Sequence, residues 1–310
     1  MKKNTHKTTP KANQVSCEEQ LELDFYPVHL INHALPYAPT QKTAWTRTNG
    51  AGALTITAVP FTDSNGEMRT VLPSGKLARL ALLWLCTEAK KNQSPHVDLA
   101  VSYRRFIADL GLNWNLVTAQ EAVEQLRAIL AMVLTYRADE ELEDKATGYG
   151  SFTIPVGRKT YFVFDDSAGF DEKRSHLLLS DDFYQLIICS HVVPIDSTAW
   201  ARLVLDTRSP MALDVYLWLC SRMERVKAPT RISWEQLYEQ FGSETKELRD
   251  FKIKFRKALA KALEYYPQAR VKEAGAGRGK TNGFKGLILS PSPLAVPKNK
   301  PATGEEGNHA

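Results

Sequence analysis

The sequence predicts an α+β chain in which one helix–strand–helix–turn–helix–hairpin unit occurs twice. Three observations carry that reading. Leu77-Ala78 and Leu83-Trp84-Leu85-Cys86 recur as Met211-Ala212 and Leu217-Trp218-Leu219-Cys220, 134 residues later and with the same internal spacing. Ser102-Tyr103-Arg104-Arg105-Phe106-Ile107-Ala108-Asp109-Leu110-Gly111 recurs as Ser233-Trp234-Glu235-Gln236-Leu237-Tyr238-Glu239-Gln240-Phe241-Gly242. Finally, 310 residues at 43% hydrophobic and 24% charged suffice for two globular domains with their own cores. That composition argues against wholesale disorder, collagen and a disulfide-stapled miniprotein.

Taken from the start, residues 1–20 carry Lys2, Lys3, Lys7 and Lys11 among Thr, Asn and Gln. Residues 291–310 are rich in Pro, Gly, Lys and Glu. Both read as disordered tails, because neither can bury enough apolar surface to repay ordering. The first unit is assigned to residues 21–190 and the second to 191–290. No apolar stretch of about 7–15 residues follows the first lysines, so no signal peptide is expected. The apolar runs are also too short to span a bilayer, which points to a cytoplasmic protein without membrane contact. Cys17, Cys86, Cys189 and Cys220 are scattered, with no C-x-x-C pair and no clustered His. Neither a disulfide framework nor a metal site is expected, and Cys86 and Cys220 read as small core residues.

Leu54-Thr55-Ile56-Thr57-Ala58-Val59 alternates like a strand after the turn-forming Asn49-Gly50. Leu77–Lys91, after Pro73-Ser74-Gly75, reads as a buried helix. Short strands, Val97–Val101 and Arg231–Ile232, precede the second helix of each unit. Ser102 and Ser233 suit the N-cap, where a hydroxyl accepts from first-turn N–H groups. Gly111 and Gly242 suit the left-handed position past the helix end. A third helix follows, Thr118 to about Ala131 and Thr245 to about Tyr265. Strands at Met132–Arg137 and Thr160–Phe164, and at Gln268–Lys272 and Phe284–Leu289, are expected to form the two hairpins. A linker is expected near His191–Ser197, after a helix capped by Ser180. The order is that of a winged helix-turn-helix. Any α+β domain can contain it, but two copies sharing a capped central helix favour two winged helix-turn-helix domains in tandem.

The second copy holds the strongest functional signal. Leu248, Phe251, Phe255, Leu259, Ala262 and Tyr266 form one helical stripe. The remaining face holds Lys246, Arg249, Lys252, Lys254, Arg256, Lys257 and Lys261. In a helix-turn-helix this helix enters the major groove, where exposed side chains reach base edges and phosphates. The hairpin adds Arg270, Lys272, Arg278, Lys280 and Lys285 around a Gly-rich tip. A solvated cationic face is the usual meaning of such a charge run. Here residues 246–285 hold 12 Lys and Arg against four Asp and Glu, while the rest of the chain holds 28 against 31. The expected DNA-binding set is Arg231, Lys246, Arg249, Lys252, Arg256, Lys257, Arg270, Lys272, Arg278, Lys280 and Lys285.

The first copy differs. Its third helix is close to neutral, and Asp139-Glu140-Glu141-Leu142-Glu143-Asp144 would be repelled by a phosphate backbone. The first unit is therefore expected to mediate protein–protein contact such as homodimerisation, with a weaker DNA role for Arg104, Arg105 and Arg127 left open. Ala274 to Thr281 approaches a Walker A loop. A P-loop needs a helix after it, whereas an apolar strand is expected here. Asp165-Asp166 and Asp181-Asp182 are adjacent pairs whose side chains diverge, and Asp181-Asp182 is better explained by the dipole of a helix start. With no G-x-S-x-G, H-E-x-x-H or His-x-His motif, neither enzymatic activity nor a cofactor is expected.

Several segments resemble a family. Leu35-Pro36-Tyr37, Arg47-Thr48-Asn49-Gly50, Leu83 to Ala89, and Phe106-x-x-x-Leu110-Gly111 look like RepA-type plasmid replication initiators. So do Ser209 to Leu219, Pro229 to Trp234, Leu248-Arg249-Asp250-Phe251-Lys252 and Tyr266-Pro267. The resemblance covers about residues 30–297 and is most specific over 209–270. It implies a non-enzymatic initiator that binds repeated duplex sites at a plasmid origin and helps to open adjacent DNA. It also implies recruitment of host replication proteins, such as the host initiator and replicative helicase. The apparent extension at Ala274–Lys285 departs from the family's short second wing. A sequence-specific transcriptional repressor using the same binding mode is the competing reading.

Overall fold

The structure, a computed structural model, describes residues 21–99, 103–141, 147–162, 176–188, 192–242, 247–275 and 283–297. The chain enters on β1 (Leu23–Pro27) and α1 (Val28–Asn32), then forms the hairpin β2 (Ala44–Asn49) and β3 (Gly52–Thr57). A small ribbon, β4 (Phe61–Thr62) and β5 (Met68–Arg69), precedes α2 (Gly75–Lys91). Next come β6 (His96–Asp98), α3 (Tyr103–Asp109), α4 (Leu116–Ala131), β7 (Val133–Glu141) and β8 (Thr147–Pro155). The first unit closes with β9 (Gly157–Tyr161), β10 (His176–Leu179) and α5 (Asp181–Ile188). The second opens with β11 (Val192–Asp196) and α6 (Ser197–Asp206), followed by α7 (Pro210–Arg225) and β12 (Thr230–Ser233). It ends with α8 (Trp234–Phe241), α9 (Leu248–Tyr265), β13 (Arg270–Ala274) and β14 (Gly286–Ser290).

The fold is α+β, and the repeat reappears in its topology. One three-stranded antiparallel sheet has the order β6-β10-β9 and the other β12-β14-β13. In each, the strand ahead of the second helix pairs with the last strand of the unit. Each sheet is accompanied by three helices, α2–α4 or α7–α9.

Local chemistry sets several helix ends. Ser209 Oγ accepts from Ala212 N, with Pro210 in the first turn of α7. At α8, Ser233 Oγ accepts from Gln236 N while Gln236 Oε1 accepts from Ser233 N, a complete capping box. Asn115 Oδ1 accepts from Thr118 N, so α4 begins ahead of the expected Thr118. Gly111 is left-handed (φ +70°) as expected. Gly242 is not, with φ −52°. Glycine is needed there for another reason, since a Cβ would collide with the Tyr238 carbonyl.

Three further expectations change. The first hairpin is not Met132–Arg137 against Thr160–Phe164. Strand β7 instead pairs with β8 across a short connection, from Val133↔Pro155 to Glu141↔Thr147, and such local closure costs little chain entropy. Its other edge pairs with β3, giving a sheet of order β2-β3-β7-β8. Thr160 lies opposite Leu177 in β10. The segment read as a linker is the paired strand β11, antiparallel to β1, with Val193 and Ile195 buried. Helix α9 begins at Leu248, not Thr245, and residues 243–246 lie outside the described residues.

The buried apolar cluster runs without a break through both units, from Leu80 and Trp84 of α2 to Leu217 and Trp218 of α7. Among the described residues no helix is long and apolar enough to cross a membrane.

Candidate nucleic-acid interface

Helix α9 is built from strong helix formers, with Ala, Leu and Lys filling its second half. Phe251, Phe255, Ala258, Leu259 and Ala262 are buried, the i, i+4, i+7, i+8, i+11 spacing of one helical face. Phe255 is the centre of this packing. Its ring lies 5.4 Å from Phe241, 5.9 Å from Trp234, 6.5 Å from Trp218 and 5.5 Å from Phe251. These contacts pin α9 to α7 and α8 and decide which face meets solvent.

That outer face carries Arg249, Ile253, Lys254, Arg256, Lys257 and Ala260 exposed, with Lys252 half-buried beside them. Each of residues 249, 252, 253, 256, 257 and 260 has another of the set three or four positions away, so they form a single strip. Arg249, Lys254 and Lys257 make no hydrogen bond or ion pair within the described residues. Lys252 lies over the Trp234 ring at 5.8 Å.

Arg256 is engaged differently. Its Nε donates to Glu273 Oε2 at 2.9 Å and its Nη2 donates to Glu273 Oε1 at 2.7 Å. The Trp234 ring lies 5.1 Å from the same guanidinium. The Glu273 bond raises the Arg256 pKa further. At the far end of the helix, Lys261 Nζ donates to Glu264 at 2.7 Å and to Asp206 of α6 at 2.9 Å. Tyr265 adds a hydroxyl bond of 2.7 Å to Asp206. Hydrogen bonds to Glu264 and then Asp206 push the Lys261 pKa up. Lys261 therefore anchors the C-terminal end of α9, and the open cations lie N-terminal to it.

The wing sheet divides the remaining expected residues between its two faces. Arg231, Ile288 and Lys272 lie in one cross-strand row, and Arg270 lies opposite Ser290. Ile232, Leu287 and Glu273 form the adjacent row. Side chains alternate between faces along a strand. Leu287 and Leu289 are buried towards the helices, and Glu273 reaches Arg256 from that side. Arg231, Arg270 and Lys272 consequently project from the opposite face, where Arg231 sits 5.6 Å over the Phe284 ring. Lys285 is exposed immediately ahead of β14. Lys246, Arg278 and Lys280 lie outside the described residues.

Sequence reasoning missed Ile253, Glu273 and Trp234. The helical phase that buries Phe251 and Phe255 turns Ile253 outward, where it is 44% exposed. An apolar side chain among cations suits contact with a thymine methyl. The Glu273–Arg256 pair joins residues from two elements, so no local pattern announced it.

The matching surface of the first unit lacks this character. Leu116 and Val117 of α4 are exposed, and Trp114 lies beneath Arg104 at 4.6 Å. Arg105 pairs with Asp109 at 2.8 Å. Arg127 is turned inward: it is buried, donates to the Thr62 carbonyl at 2.6 Å and lies 4.2 Å over Phe162. A DNA role for Arg127 is therefore withdrawn, because its guanidinium holds the β4–β5 segment. Residues 142–144 of the acidic run lie outside the described residues. So do residues 276–281 of the Walker-like loop and Asp165-Asp166. Strand β14, not a helix, follows that loop. Asp181 and Asp182 occupy the first turn of α5, and Asp181 pairs with Arg158 at 3.1 Å.

Against known proteins, a family model described as plasmid-encoded RepA protein (RepA_C) matches residues 72–236. The match runs from just ahead of α2 into α8, and α9 lies beyond it. No curated protein matches the chain. Among solved structures, a crystal structure of selenomethionine derivatives of domains 2 and 3 of RctB is similar at a TM-score of 0.54 and 12% identity. That likeness covers 84% of this chain and 96% of the other. A second crystal structure of RctB domains 2–3 aligns at a TM-score of 0.48 and 11% identity, over 84% and 94% of the two chains. At such identities the likeness is one of fold.

Proposed function

The chain belongs to the plasmid-encoded RepA family of replication initiators, and from that premise we propose that it binds repeated duplex sites at a plasmid origin through the outer face of α9, which the β13–β14 wing flanks. The observation that carries this reading is the outer strip of α9. Arg249, Lys252, Ile253, Arg256 and Lys257 lie along one face of a helix whose opposite face is locked by aromatic packing. An exposed helix of this kind fits the major groove, where its N-terminal side chains reach base edges and its cations neutralise phosphates. If about six phosphates are contacted, affinity falls by roughly 10³ between about 50 and 200 mM salt.

The two units are tandem winged helix-turn-helix domains in this reading. Their shared strand orders, β6-β10-β9 and β12-β14-β13, support it. The first unit serves protein–protein contact, including homodimer formation, and the exposed Trp114, Leu116 and Val117 favour that role over DNA. Binding to the repeats strains the adjacent duplex open, and host replication proteins are then recruited. The protein itself performs no enzymatic step.

Footprinting of the full chain on the DNA flanking its gene tests this reading. It should be combined with replication of a minimal plasmid carrying only the gene and any repeats. Protection of regularly spaced repeats together with replication is expected. Protection of a lone promoter operator without replication would favour a transcriptional repressor instead.

A further inference from the structure

We propose that Glu273 makes Arg256 a guanine reader, an inference that rests on the DNA-binding reading of α9. A guanidinium carries five N–H donors in a planar fork. The bonds to Glu273 use Nε and Nη2, at 2.9 and 2.7 Å. These are the donors on one side edge of the fork. One N–H of Nη2 and both of Nη1 are left, so the end-on edge still offers two parallel donors. Guanine presents two adjacent acceptors, O6 and N7, to that edge in the major groove. Trp234, 5.1 Å from the guanidinium, supports the plane from α8. The arginine side chain remains 46% exposed, so its outer edge is reachable.

Charge separates this role from ordinary phosphate binding. Arg256 and Glu273 together carry no net charge, so the pair adds little to non-specific attraction. Arg249, Lys252 and Lys257 supply that attraction. Removing the Glu273 carboxylate should therefore act in opposite directions on two properties. It frees a positive charge, which strengthens binding to arbitrary DNA and steepens the salt dependence by about one ion. It also frees the guanidinium to rotate, which weakens discrimination at one base pair. A residue needed only to hold the wing in place would lower both kinds of binding together.

The test measures binding of the full chain to duplexes from its origin repeat, replacing each guanine singly by 7-deazaguanine, which lacks the N7 acceptor. A scrambled duplex serves as the non-specific reference. In the wild type, one guanine should matter by roughly 10-fold. Arg256→Ala should abolish that sensitivity. Glu273→Gln and Glu273→Ala should reduce it to threefold or less, on the order of 0.6 kcal/mol, while binding the scrambled duplex at least as tightly as the wild type. Unfolding midpoints of both Glu273 variants establish that the wing is intact. Loss of affinity that is uniform across all guanines, or weaker binding to scrambled DNA by folded Glu273 variants, would overturn the inference and leave the DNA-binding reading standing. A wild-type protein that does not distinguish origin repeats from scrambled DNA would overturn that reading, and this inference with it.

Discussion

Arg79 and Asp214 join the two repeated helices: Nε donates to Oδ1 at 2.6 Å and Nη2 to Oδ2 at 2.7 Å, with both side chains buried. The other donors of Arg79 reach the carbonyls of Pro36 and Gly75 through Nη1, and that of Leu35 through Nη2. All five N–H groups are therefore used. The pair spans α2 of the first unit and α7 of the second. Lys76 makes a second bridge, donating to the Val204 and Thr207 carbonyls at the end of α6.

Breaking the Arg79–Asp214 pair from one side should be severe. Asp214→Ala leaves a buried guanidinium without its counter-ion, which costs about 3–5 kcal/mol. Denaturant unfolding of the full chain measures this directly. A loss below about 1 kcal/mol would mean that the carbonyls alone satisfy Arg79.

The capping box of α8 gives a smaller effect that can be separated into its parts. Ser233→Ala should destabilise by about 1 kcal/mol. Gln236→Ala removes the reciprocal bond, 2.9 Å from Gln236 Oε1 to Ser233 N. Because the two bonds act together, the double variant should lose less than the sum of the single losses. Strictly additive losses would argue against a coupled box.

His33 is expected to make stability fall in mild acid. It is 3% exposed, its Nδ1–H donates to the His29 carbonyl at 2.8 Å, and burial lowers its pKa. The folded state therefore holds the neutral ring, while the unfolded chain takes up a proton below about pH 6.5. Stability from this group is complete above that value and is lost as pH falls towards the folded pKa. Urea midpoints at pH 7.5 and 5.5 should differ in the wild type, and by less in His33→Asn. An unchanged difference in that variant would assign the acid sensitivity elsewhere.

The outer face of α9 and the outer face of the wing sheet should separate in binding experiments. Arg249→Ala and Lys257→Ala should each reduce the salt slope by about one ion. Arg270→Ala and Lys272→Ala, on the sheet face turned away from α9, should change it far less. Equal effects at all four positions would mean that DNA also wraps the outer sheet face.

Much of this fold was legible because it is local and repeated. The Leu-Trp-Leu-Cys motif located α2 and α7, Ser233 marked α8, and the Phe251–Phe255 stripe gave α9 its inner face. Strand pairing was less accessible. Thr160 pairs with Leu177, and β7 pairs with both β8 and β3, choices decided by chain entropy and sheet packing between distant segments. The same limit applies to the candidate site. Composition revealed the cations of α9, but only the tertiary structure joins Arg256 to Glu273 and Lys261 to Asp206. It also turns Arg127 inward and sets Arg270 and Lys272 on the far sheet face.

If the outer face of α9 recognises the origin repeats, the full chain binds them in preference to other DNA. The most direct measurement is the affinity of the full chain for a repeat-containing duplex and for a scrambled duplex at physiological salt. The wild type should be compared with Arg249→Ala/Lys257→Ala. The wild type should prefer the repeat by roughly 10³ or more, and the double variant should lose most of its binding while unfolding at the same denaturant concentration. Equal affinity for the two duplexes, or full binding by the double variant, would rule out recognition through α9.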